Sequence, residues 1–147
     1  MWHESFDYSL NYIPVPKGRP RVTKSGIAFT PTKTRRAEQD LAVLISSDLQ
    51  GRTPIDNPIR LEMDIYMPRP KGHYGTGKNE GNLKKSAPRF PDRKPDIDNI
   101  FKLFTDAAEG LLWTNDSRIV QMDVKLWYAD ERAPGYDVSV LEWREEE

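Results

Sequence analysis

Three stretches of alternating side chains constrain the fold more than any other feature of this chain. From Ile59 to Met67, apolar Ile59, Leu61, Met63, Ile65 and Met67 alternate with Arg60, Glu62, Asp64 and Tyr66. A period of two places every apolar side chain on one face of an extended segment, so this run predicts a half-buried strand. Ile119–Tyr128 and Tyr136–Trp143 alternate in the same way, and Ala133-Pro134-Gly135 predicts a hairpin joining them. Helical spacing appears twice. Ala37, Leu41, Leu44, Ile45 and Leu49 line one face of a helix from about Thr34 to Leu49, stopped by Gly51. Ile97, Ile100, Phe104, Ala107, Ala108 and Leu111 do so over Asp96–Leu111. Weaker signals predict a short strand over Ser9–Val15 and a hairpin turn at Lys24-Ser25-Gly26, with Ile27–Phe29 returning. Trp113, Trp127 and Trp143 lie in or beside regular elements and are expected in the core. The order predicts a mixed α/β (α+β) fold: a small mixed sheet of about four strands packed with two main helices. A length of 147 residues suits a single domain over 1–147.

Hydrophobic residues make up 37 % of the chain, with 12 prolines and 9 glycines. A compact core carrying long polar segments follows. The longest, Lys71–Lys94, has no period and many breakers, and a loop of that length inside a domain is usually functional or disordered. There is no cysteine, which excludes disulfides and thiolate metal sites and leaves oxygen or imidazole as metal donors. The first residues lack the charge and apolar run of a signal peptide, and no stretch is apolar enough to span a membrane. The expectation is a soluble protein of the cytoplasm.

The net charge of -1 says little, but its distribution is uneven. Val15–Arg36 holds seven basic residues and no acid, and Arg69–Lys94 holds eight against Glu80 and Asp92. These two basic loops, at about 15–36 and 69–94, carry 15 of the 22 Lys and Arg. Cations gathered into two segments beside an acidic remainder form an electrostatic footprint for a polyanion such as nucleic acid. Phe29, Tyr74 and Phe90 interleave with these cations, and Phe90 suits stacking or wedging at distorted DNA, although core packing suits Phe29 at least as well.

Lys94-Pro95-Asp96-Ile97-Asp98-Asn99 is the sharpest chemical feature. On an extended lead-in to a helix, Asp96 and Asp98 project to the same side. Two close carboxylates repel unless a cation or a proton lies between them, and hard ions such as Mg²⁺ favour such pairs. Lys102 follows Asp98 by one helical turn, where it can pair with that carboxylate or face a phosphate. Asp116, at the start of a strand just after the helix, is the natural third acid. Spacing alone fits a plain reading equally well: a helix cap, a surface ion pair and a turn aspartate. His3 and His73 have no partner at ligand spacing.

Lys94-Pro95-Asp96-Ile97-Asp98-Asn99-Ile100-Phe101-Lys102 resembles the KPDxDNxxK signature of the RusA family of Holliday junction resolvases, often encoded by phages and prophages. Asp106-Ala107, Asn115-Asp116-Ser117-Arg118-Ile119-Val120 and the early Gly18-Arg19-Pro20-Arg21 are similar to further family elements, in the family order. Two positions depart from the pattern: Asn115 stands for the first of two paired acids, and Arg118 for a common glutamine. The resemblance implies Asp96, Asp98, Lys102 and Asp116 as catalytic residues, with Asp96, Asp98 and Asp116 holding Mg²⁺, for which Mn²⁺ can substitute. It implies a homodimer that nicks four-way DNA junctions in pairs, in recombination and repair, within a bacterial or phage-infected cell. No small-molecule cofactor and no membrane are expected. Lys17, Arg19, Arg21, Lys84, Lys85, Arg89, Phe90, Arg93 and Lys94 are the expected DNA contacts. The alternatives are a metal-dependent nuclease for other branched DNA and a non-catalytic junction-binding module.

Overall fold

A computed structural model describes residues 1–146. Its strands are β1 (Trp2–Leu10), β2 (Arg21–Val22), β3 (Ala28–Phe29), β4 (Ile59–Met67), β5 (Ile119–Tyr128) and β6 (Gly135–Trp143); its helices are α1 (Thr32–Leu49) and α2 (Ile97–Ala108). Four strands form one mixed sheet in the order β1-β6-β4-β5, and β2 and β3 form a separate two-stranded hairpin. The expected mixed sheet with two main helices is therefore present.

The two most deeply buried strands take the centre. Ile59, Leu61, Met63 and Ile65 of β4 and Tyr136, Val138 and Val140 of β6 are buried. Ala37, Leu41, Ile45 and Leu49 of α1 cover this face together with Ile100, Leu103, Phe104, Ala107 and Ala108 of α2. Each fully buried Leu, Ile or Phe contributes about 1.5–3 kcal/mol relative to exposure, so this single layer of contacts dominates stability. The opposite sheet face stays polar, with Asp64 accepting a hydrogen bond from Trp127 Nε1 at 2.8 Å.

Three expectations are corrected. The Ala133–Gly135 turn does not make a hairpin. β5 runs parallel to β4 and β6 antiparallel to it, on its other side. β6 lies between β1 and β4, so the connection from β5 crosses the end of β4, where Ala129 N–H donates to Met67 O at 2.8 Å. The first strand is Trp2–Leu10 rather than Ser9–Val15. It pairs with β6 alone and has a bulge between Glu4 and Phe6 that breaks its alternation. Of the three tryptophans only Trp113 is fully buried; Trp127 and Trp143 are half-buried, and Phe29 is exposed.

The parallel pairing of β4 with β5 requires a crossover, and the chain uses it to carry the long loop and then α2. That loop is not featureless. Lys71–His73 and Gly77–Asn79 form short 3-10 turns, and Lys84 N–H donates to His73 O at 2.8 Å. Arg69 anchors its base: the side chain is 3 % exposed, bonds Asp130 and Pro88 O, and lies over the Tyr128 ring at 4.2 Å. His73 sits edge-on to the same ring, which gives it a packing role.

Candidate active site at the α2 helix

The site is organised along α2. Asp96 is its N-cap residue, in extended conformation, yet its carboxylate makes no capping bond. The plain capping role is thus left unused by the side chain that suits it best. Asp98 lies in the first turn, and both acids are exposed. Asp96 shares a cleft with Phe90, Arg93 and Leu126, so the second basic loop runs directly into the acidic end of the helix.

One turn on, Lys102 does not pair with Asp98. Its Nζ donates to Asp106 Oδ1 at 2.8 Å, one turn further along the same face. Lys17 Nζ donates to the other Asp106 oxygen and lies 3.8 Å from Glu38 of α1. An exposed pair at this helical spacing contributes only about 0.3–0.5 kcal/mol, so its consequence is where the ammonium points, not how stable the helix is. The bond to Asp106 holds the Lys102 ammonium above the ordinary lysine value. Burial by itself raises Asp106, but the bonds from Lys102 and Lys17 outweigh it and hold the carboxyl low. For Glu38 burial wins against Lys17 and pushes the carboxyl up, and its Oε1 is buried without a hydrogen-bond partner.

Asp116 opens a 3-10 turn beyond the C-terminal end of α2. Its Oδ1 accepts from Nε1 of the buried Trp113 at 2.7 Å, and its own N–H donates to Glu109 Oε2 at 3.0 Å. Burial raises its carboxyl and neighbouring Glu109 adds to this, against the pull of the Trp113 bond and Lys102. The helix rises about 1.5 Å per residue, which sets Asp98 and Glu109 roughly 16 Å apart along the axis. Asp116 is tied to the Glu109 side chain and lies within electrostatic reach of Lys102 in the middle of α2. Among the described residues, no group of three or more His, Asp or Glu side chains is gathered closely enough to hold a metal ion. The donor chemistry suits a hard cation, but a single chain does not assemble the three acids around one.

The first basic loop is fixed to this helix. Lys17 N–H donates to Asn99 O at 3.0 Å, and Gly18 N–H to Oγ1 of the buried Thr34 at 2.8 Å. A Cβ on Gly18 would stand 2.8 Å from that same oxygen, so only glycine allows the approach. Arg19 and Arg21 are exposed along a groove with Pro31 and Lys33, and β2 and β3 project beyond them, exposed throughout. Lys84, Lys85, Arg89, Phe90, Arg93 and Lys94 are likewise exposed, with Arg89 over the Phe90 ring at 5.7 Å and that ring 5.8 Å from Trp127. Lys17 differs from the other expected DNA contacts in being spent on Asp106 and Glu38.

The RusA endodeoxyribonuclease family model matches residues 11–140. The chain belongs to the RusA endodeoxyribonuclease family. It is also 32 % identical over 132 residues to the Bacillus subtilis (strain 168) protein named "Uncharacterized protein YqaN", covering 88 % of this chain and 90 % of that one. No described helix is long and apolar enough to cross a membrane. Sequence reasoning missed Glu38 and the pairing of Lys17 with Asp106, because residues 89 positions apart carry no local signal.

Proposed function

We propose that this RusA-family protein is a cytoplasmic, homodimeric, Mg²⁺-dependent endodeoxyribonuclease, with Mn²⁺ able to substitute, that resolves four-way DNA junctions by paired nicks in recombination and repair. The observation that carries this reading is the family match together with the cleft that sets uncapped Asp96 beside Phe90 and Arg93. Asp96, Asp98 and Asp116 are the acids proposed to hold the cation, which when bound would neutralise phosphate charge. Lys102, held charged by Asp106, is placed to stabilise negative charge that grows on a reacting phosphate. Arg19, Arg21, Lys84, Lys85, Arg89, Arg93 and Lys94 supply exposed cations for the backbone, with Phe90 to stack on an opened base step. Two symmetric cuts suit a two-fold dimer.

A second reading, junction binding without catalysis, is favoured by one observation: the acids are not gathered in the single chain. Incubation with a synthetic four-way junction, a flap and a linear duplex, with and without Mg²⁺, separates the readings. The nuclease cuts the junction in preference and only with the divalent ion. Salt-sensitive binding without nicks in any divalent metal would establish the second reading, and equal cutting of the flap would broaden the substrate class.

A further inference from the structure

The two edges of the main sheet differ. β1 is blunted by its bulge and by Glu4 and Asp7 along its length. β5 has its irregularity at Val120, near its start, and from Gln121 to Tyr128 it runs in unbroken register with β4. Met122, Val124 and Leu126 stand opposite Leu61, Met63 and Ile65 of β4, so they point to the helix-covered face. Yet Met122 is 63 % exposed and Val120 60 %. α2 stops short of them, leaving a groove between Ile97 and Phe101 of the helix and Met122 and Val124 of the strand. Among the described residues nothing pairs with the outer side of β5. A long regular edge with an apolar face recruits another strand unless something covers it.

The sequence of β5 specifies what that strand is. Antiparallel partners directly opposite one another share a face, so a strand pairing with its own copy must centre on a residue. Centred on Val124, Met122 meets the copy's Leu126 on the apolar face, and Asp123 meets the copy's Lys125, twice, on the polar face. Moving the centre to Asp123 sets aspartate against aspartate, and moving it to Lys125 sets lysine against lysine, both unfavourable. Centring on Met122 leaves Lys125 opposite Ile119. Asp123 and Lys125 are exposed and already lie 3.1 Å apart within the strand. We propose that β5 pairs antiparallel with β5 of a second copy across a two-fold axis at Val124, joining the two sheets into one. This deepens the homodimer clause of the proposed function by naming its surface and register.

Light scattering on the eluting full-length chain tests it. The wild type runs as a dimer. Asp123→Lys and Lys125→Asp each replace two attractive pairs with two repulsive ones and weaken dimerisation at least about tenfold. The double variant Asp123→Lys/Lys125→Asp restores the dimer, and mixing the two single variants yields the heterodimer. Because the chain has no cysteine, Val124→Cys treated with diamide gives a covalent dimer through that position alone, whereas Ser86→Cys in the exposed loop does not. A monomeric wild type, single variants that stay dimeric, or a Val124→Cys variant that fails to cross-link would each overturn the proposal. Junction cleavage is scored separately. A cutting enzyme that dimerises elsewhere overturns this register alone, and a β5-paired dimer that cuts no junction overturns the nuclease reading alone.

Discussion

At the scale of single residues, Asp106 ties the site together. It bonds the Lys102 ammonium with one oxygen and Lys17 with the other, and so links the first basic loop to the lysine of α2. Asp106→Asn keeps the size but weakens both bonds. Junction cleavage should fall by about 10- to 100-fold, the range a small misplacement of a reacting group produces, while junction affinity measured by titration stays near wild type. Asp106→Glu should recover part of the loss. Glu38 gives a pH-dependent prediction. Burial raises its carboxyl, so the folded chain holds that proton more tightly than the unfolded chain does. Stability from this group is present at low pH and is lost as pH rises above the ordinary glutamate value of about 4.3. Glu38→Gln removes the loss, so its melting temperature should gain on wild type between pH 4 and pH 7. A difference that shrinks over that range would contradict the assignment.

At the scale of elements, the close approach of β6 to β1 is the point most sensitive to a single atom. A Cβ on Gly135 would sit 2.3 Å from Leu10 O. Gly135→Ala should cost on the order of 1–3 kcal/mol, as overpacking does, and lower the denaturation midpoint without changing its slope. The elements also show what was legible in the chain. β4, α1, α2, β5 and β6 were all legible, because each carries enough apolar residues at one period to reveal its buried face. β1 was not, because an edge strand with a bulge buries only Phe6 and Leu10. Strand order was not legible either. A short turn between β5 and β6 reads as a hairpin, yet β6 pairs on the far side of β4 although β5 is the more apolar strand, so composition does not reveal the order. In the site, Asp96, Asp98, Lys102 and Asp116 stood out by motif and resemblance. The bonds that orient them were not visible, because Trp113 to Asp116 and Lys17 to Asp106 depend on how the elements pack.

At the scale of the whole molecule, basic loops project from a body whose remaining surface is acidic. Arg19 and Arg21, fixed near α2 through Gly18, and the cations of the second loop lie on exposed segments beside the acidic helix end. DNA affinity should therefore fall steeply with salt, and Arg19→Ala should flatten the log–log slope by about 1 without changing substrate preference. The central claim is that the acids at the start of α2 make this family member a junction-cutting nuclease. Its most direct test is cleavage of a synthetic four-way junction in Mg²⁺ by the wild type and by Asp98→Asn, with binding of the junction measured in parallel. The account predicts paired nicks by the wild type, and a variant that binds the junction but cuts at least about 100-fold more slowly, as loss of a group acting in the transition state requires. Cutting by Asp98→Asn at the wild-type rate would contradict it.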